Sequence, residues 1–114
     1  MSDCLFCAIA VGEIPADLVH TDDEIVAFRD ITPQAPVHVL VIPRAHHASA
    51  AALADADAGL AGRLLAVAGR IAAQEGIADT GYRLVTNTGE GAGQSVPHVH
   101  VHVLGGRDLT WPPG

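Results

Sequence analysis

The chain has 114 residues, of which 49% are apolar and 17% charged, enough apolar material for one filled core and too much for wholesale disorder. Six basic side chains against thirteen acidic ones give a formal charge of −7, which speaks against nucleic acid or an anionic membrane as a partner. A single domain over residues 1–114 is expected at this length. No basic segment leads into an apolar run at the N-terminus, and no apolar stretch approaches the ~20 residues of a bilayer span. A soluble chain in a reducing, cytoplasmic compartment is predicted.

In chain order, the first predicted element is a short helix over residues 5–11, closed by Gly12. Cys4-Leu5-Phe6-Cys7 opens it. Two cysteines cannot build a disulfide framework by themselves. A CxxC pair fits a metal half-site, a redox pair or chance, and the redox reading lacks a thioredoxin-like βαβ context. A strand over residues 24–29 follows the turn-prone Thr21-Asp22-Asp23. A second, over residues 37–42, lies between Pro36 and Pro43 and carries His38. The Ala-rich stretch over residues 50–73 has helical period. Its clearest helix spans residues 57–74, where Leu60, Leu64, Val67 and Ile71 form one apolar stripe. Asp55 or Asp57 is placed to cap its start, and Gly76 to end it. Further strands are predicted over residues 82–86, after Gly81, and over residues 98–104, from Pro97 to Gly105-Gly106. The sum is an α+β fold with a mostly antiparallel sheet, one long helix and one short one, the long helix covering one sheet face.

Five of the seven histidines fall in two short stretches. The densest is His98-Val99-His100-Val101-His102-Val103-Leu104, an alternation of imidazole and aliphatic residues. Successive side chains of a strand point to opposite faces, so the three imidazoles tend toward one face, about 6.5–7 Å apart, with the valines in the core. Solubility does not call for three imidazoles in a row; catalysis or metal binding does. Just upstream, Asn87-Thr88-Gly89-Glu90-Gly91-Ala92-Gly93-Gln94-Ser95 has three glycines at spacing two, which free backbone N–H groups to approach an anion. Gln94 and Ser95 add an amide and a hydroxyl. Such a loop is often a plain connection, but beside the triplet it reads as a phosphate site next to a nucleophile. A lone histidine such as His38 on an apolar strand is ordinarily a satisfied core residue; here it is a candidate partner of the triplet. His20 is expected at the surface.

These residues resemble the histidine triad (HIT) family, whose His-φ-His-φ-His-φ-φ motif is present in full from His98 to Leu104. The likeness extends to Phe28-Arg29-Asp30-Ile31, Pro33-Gln34-Ala35-Pro36-Val37-His38, Val41-Ile42-Pro43-Arg44, Gly93-Gln94-Ser95-Val96 and Gly105-Gly106-Arg107. The ending Trp111-Pro112-Pro113-Gly114 is similar to the Hint branch, the purine nucleoside phosphoramidases. The resemblance implies a dimer that joins two sheets into one, and hydrolysis of AMP or GMP linked to an amine or similar leaving group. His100 would be the nucleophile that forms a nucleotidyl-histidine intermediate. His102 would contact the phosphate, His38 would support the nucleophile or its neighbour, and Ser95 would donate to phosphate or leaving group. Asp30 resembles the carboxylate that holds the ribose hydroxyls. Leu5, Phe6, Ile9, Phe28 and Ile31 look like an apolar slot for the purine, although each serves equally well in a core. Asn87 matches a position near the phosphate or ribose, Gly93, Gln94 and His98 are further candidates to bind the nucleotide, and Trp111 matches a residue that reaches the partner subunit's site.

Bacterial proteins of this type carry a structural zinc, and the matching ligands are Cys4, Cys7, His46 and His98, with His47 as an alternative to His46. Two thiolates and two imidazoles make a closed tetrahedral set. Regular alternation aims His98 and His100 at the same face, so metal and substrate compete for space unless Pro97 bends the strand. No metal is required for the chemistry. Two other readings are a diadenosine-polyphosphate hydrolase or nucleotidyltransferase of the same superfamily, and a zinc-stabilised nucleotide-binding module with little turnover.

Overall fold

A computed structural model describes residues 3–114. Strands β1 (Leu18–Thr21), β2 (Ile25–Arg29), β3 (Val37–Pro43), β4 (Tyr82–Val85) and β5 (Val101–Gly105) form one sheet in the order β1-β2-β3-β5-β4, every neighbouring pair antiparallel. Helices α1 (Leu5–Ala10), α2 (Ala50–Ala56) and α3 (Ala58–Gln74) flank it. The α+β class and antiparallel sheet are as expected. The strand β1 and the separate helix α2 are additions, so the α-helices among the described residues are one long and two short.

Local chemistry explains the breaks. Ser49 caps α2 by accepting from the Ala52 N–H, and Asp57 caps α3 by accepting from the Leu60 N–H at 3.0 Å. Asp57 itself has φ −156°, outside the helical region, so the alanine-rich stretch is two helices and not one. The α3 stripe is buried as predicted, with Leu60, Leu64, Val67 and Ile71 each at most 4% exposed. It covers one sheet face, where Ile25, Ala27, Val39, Val41, Val99, Val101 and Val103 meet it. Truncating one such side chain to alanine costs about 2–5 kcal/mol. Gly105 lets the end of β5 approach Ile77 closely: a Cβ there would lie 2.6 Å from Ile77 Cδ1 and 3.1 Å from its Cβ, so Ile77 would have to shift. The Arg29 guanidinium pairs with Glu75 at the far end of α3, tying helix and sheet together.

The opposite face carries a smaller cluster of Phe6 and Ala10 from α1 with Val26, Phe28, Leu40 and Ile42. Register places Phe28 opposite Leu40 and Leu40 opposite His102, so one row of side chains runs across three strands. The last strand begins later than expected, at Val101. Before it, the Val99 N–H donates to the His47 carbonyl at 2.7 Å, outside the sheet's own ladder. His98 and His100 therefore stand on an irregular approach to β5, yet Val99, Val101 and Val103 all reach the helical side. The two-residue period survives the loss of regular strand, and the histidines share the α1 face.

Candidate active site

The three histidines form a line along that face, ordered by their neighbours. His98 is fully buried. Its Nε2–H donates to the Pro43 carbonyl at 2.8 Å, which leaves Nδ1 with a lone pair. That nitrogen faces Cys4 Sγ at 3.3 Å and Cys7 Sγ at 3.4 Å, while His46 Nδ1 lies 3.3 Å from Cys7 Sγ. All four donor atoms lie within 4.8 Å of one another. A tetrahedron built with Zn–S near 2.3 Å and Zn–N near 2.05 Å has S–N edges of about 3.6 Å. The donor set therefore fits a metal ion and is compatible with structural zinc. The carbonyl on the Nε2–H of His98 is the outer partner such a ligand needs to fix its tautomer. His47 is not in this group of donors; its carbonyl holds Val99 instead.

His100 comes next along the line. Its Nδ1 lies 2.8 Å from the His98 carbonyl oxygen. A carbonyl only accepts, so Nδ1 carries the proton, and in the neutral ring Nε2 keeps its lone pair. Phe6 meets this ring edge-on at 5.0 Å, and His102 lies 5.1 Å beyond it. His98 thus serves both neighbours, the thiols with its ring and His100 with its main chain.

His102 has the opposite tautomer. The Gln34 main-chain N–H donates to His38 Nδ1 at 3.0 Å, so the neutral His38 carries its proton on Nε2. His38 Nε2 lies 2.9 Å from His102 Nδ1, which must accept. The remaining proton of His102 is on Nε2. Burial, aided by the charges of His100 and His38, pushes the His102 pKa down to about 4, and burial likewise lowers that of His38 against the pull of Asp30. Both rings are neutral near pH 7. Asp30, His38 and His102 also group closely enough for a metal. Here, however, the Nε2 of His38 already bears a proton directed at His102, and a hydrogen-bonded chain is the better description.

A cavity of about 540 Å³ opens beside this line. His100, His102 and Ser95 stand on its wall with Asp30 and Ile31. Leu5, Phe6, Ile9, Phe28 and Leu40 make its apolar side. The volume suits a small organic ligand. Ile31 is 99% exposed, and its side chain offers apolar surface that a ligand would cover. Asp30 is held by its own loop, with Oδ1 accepting from the Thr32 N–H at 2.8 Å and Oδ2 3.5 Å from His38 Nε2.

Several expected residues stand elsewhere. Asn87, Gly93 and Gln94 do not line the cavity, nor does His98, whose ring is committed to the thiols. The Gln94 amide instead holds its own loop and ties it to the segment after β3, accepting from Gly89 and donating to Val96 and to Ala48. Trp111 is 83% exposed and away from this chain's cavity. His20 is half-buried and paired with Asp22 at 2.7 Å. Sequence reasoning missed Leu40, whose place follows from its two-residue spacing to His38. It also missed Ile14, Pro15 and Ala16, which line the cavity from an irregular segment without a periodic signal.

An α+β sheet with three histidines on one face beside an apolar cavity defines a class, and the comparisons agree with it. The HIT domain model matches residues 11–109. An uncharacterized HIT-like protein of Synechococcus elongatus is 52% identical, over 98% of this chain and 97% of its own. The crystal structure of a HIT family hydrolase from Legionella pneumophila superposes with a TM-score of 0.95 at 53% identity, covering 98% of this chain and 100% of that one. A HIT family hydrolase from Clostridium thermocellum gives 0.92 at 41% identity, covering 96% of each chain. The chain belongs to the HIT family.

Proposed function

We propose that this protein is a purine nucleoside phosphoramidase of the Hint type, built as one HIT domain over residues 1–114. The observation that carries the reading is the pair of opposed tautomers. The bonds at their Nδ1 atoms leave His100 with an Nε2 lone pair and His102 with an Nε2–H, and both residues line one cavity. A neutral imidazole is a competent nucleophile near pH 7, and an N–H donor beside it stabilises developing phosphate charge. The lone pair of His100 forms a bond to the α-phosphorus as the phosphorus–amine bond breaks. The amine takes a proton from water, with Ser95 on the same wall as the hydroxyl that passes it. The hydroxide left from that water then attacks the phosphorus as its bond to His100 breaks, which releases the nucleoside monophosphate and frees His100. Asp30 accepts from the ribose hydroxyls, and the purine lies against Leu5, Phe6, Ile9, Phe28 and Ile31.

Zinc at Cys4, Cys7, His46 and His98 would supply a structural crosslink between α1, the loop after β3 and the approach to β5. We assign the exposed edge of β4, where Tyr82 is 38% and Leu84 36% exposed, as the seam of a homodimer, with Trp111 reaching the partner's cavity. The chain's net charge and its two thiols suit a cytoplasmic protein without nucleic-acid or membrane partners, and no described helix is long and apolar enough to cross a membrane. The decisive assay mixes the protein with an adenosine phosphoramidate and follows AMP. Release is expected from the wild-type chain and not from His100→Ala; equal rates from both would remove the assigned nucleophile. Faster turnover of a dinucleoside polyphosphate would favour the sister hydrolase instead. Nucleotide affinity without turnover would favour the zinc-stabilised binding module.

A further inference from the structure

We infer that His102 is a fixed hydrogen-bond donor and not a proton carrier, and that the main-chain N–H of Gln34, braced by Arg107, is the positioning group that fixes it. This rests on the phosphoramidase reading for its catalytic consequence, though not for its structural content.

The chain of two bonds has a direction. Gln34 N–H donates to His38 Nδ1 at 3.0 Å, and His38 Nε2 stands 2.9 Å from His102 Nδ1. A backbone amide donates and does not give up its proton at neutral pH, so it holds the first ring in one tautomer. That ring imposes the same tautomer on the second. A relay would need the far end to supply a proton when His102 lost one. The far end is an amide, so loss of the His102 Nε2 proton would leave an anionic imidazole pair in a half-buried place. His102 therefore donates to a phosphate oxygen throughout, and the proton that leaves with the amine comes from elsewhere.

Residue Gln34 is held on three sides to make this possible. Its carbonyl accepts from Arg107 Nε at 3.0 Å, and its side chain donates to the Thr32 carbonyl at 2.9 Å. Asp30 N–H closes the loop onto the His38 carbonyl at 2.9 Å. Gly106, with φ +89°, lies so close to Pro36 that a Cβ would sit 2.9 Å from its Cβ. The segment after β5 thus clamps the loop that carries the donor. Arg107 acts on the site through Gln34 and touches no part of the cavity.

Histidine-ring nitrogen NMR on the free protein, labelled with 15N, reads the tautomers directly. The wild-type chain is expected to show His38 and His102 protonated on Nε2 alone, and His100 on Nδ1. A wild-type His102 protonated on Nδ1 overturns the inference without any variant. Gln34→Pro deletes the N–H, and should give both His38 and His102 mixed tautomers while His100 keeps its own. It should also lower kcat by roughly tenfold with KM within about twofold. Gln34→Ala keeps the main-chain donor and should keep the wild-type tautomers. Arg107→Ala should shift the same two rings in the direction of Gln34→Pro by less. Unchanged rings in a folded Gln34→Pro protein, or the same mixing in Gln34→Ala, would contradict the assignment. Correct tautomers without phosphoramidase turnover would count against the proposed function alone. Turnover with a relay-type His102 would count against this inference alone.

Discussion

His98 and His102 lie four residues apart on one face of the same segment, and the molecule uses them in opposite ways. At one end the imidazole is fully buried, with one nitrogen on a carbonyl and the other among thiols. At the other the imidazole is half-buried, neutral, bonded through Nδ1 to His38 and part of a cavity wall. The spacing in the sequence is the same on either side of His100, so spacing does not decide the role. What decides it is which groups the fold brings to the second ring nitrogen: a carbonyl at His98 and His100, another histidine at His102. A tautomer is thus a property of the neighbourhood, set for His98 and His102 by groups far away in the chain and for His100 by the carbonyl two residues before it.

His100 stands between the two ends, and removing it should have the largest effect. His100→Ala is expected to lower phosphoramidate turnover by roughly 10⁴-fold or more, with the melting temperature within a few degrees of wild type. Loss of the fold with the activity would instead make this ring structural, like His98. Breaking the thiol end should act on stability first. Cys7→Ser is expected to abolish metal binding, measured as metal per chain, and to lower the melting temperature by roughly 10 °C. An unchanged melt would mean that packing and the bond to the Pro43 carbonyl are enough to hold His98.

On the cavity side, Asp30→Asn should raise KM by about tenfold and change kcat less, because on the proposed function a neutral amide would replace a carboxylate that accepts from two ribose hydroxyls. A fall in kcat alone would place Asp30 with the reacting groups. The smallest expected effect is that of pH on His102. Its pKa lies near 4, below its ordinary value of 6.5, so the folded state disfavours the charged ring. The stability this provides is fully present above about pH 6.5 and is lost as pH falls through about 4. Melts between pH 7 and 4 should show a decline that is smaller in His102→Gln; the same decline in both would assign it to other groups.

Much of this contrast was legible in the sequence, because a two-residue period survives local irregularity. Val99, Val101 and Val103 face α3 although β5 starts only at Val101. The α3 stripe was equally plain, since four large aliphatics at helical spacing leave one solution. Helix α2 was hidden by composition: alanine continues across residues 50–73, and only the backbone of Asp57 breaks the run. Strand β1 was missed because Leu18-Val19-His20-Thr21 is an edge, with two of its four residues exposed and a register shift between Leu18 and His20. The tautomers were beyond reach for a different reason. They depend on the main-chain groups of Gln34 and His98, and every residue has such groups. Gln94 misled in turn, since an amide beside glycines fits a phosphate as well as it fits its own loop.

The central claim is that the Nε2 of His100 takes a nucleotidyl group. Rapid acid-free quenching of the protein with a slow adenosine phosphoramidate, followed by intact-mass and peptide-mapping spectrometry, tests it most directly. The account predicts a single added AMP moiety on the peptide containing His100, absent from His100→Ala. Turnover with the adduct on another residue, or undiminished turnover by His100→Ala, would contradict it.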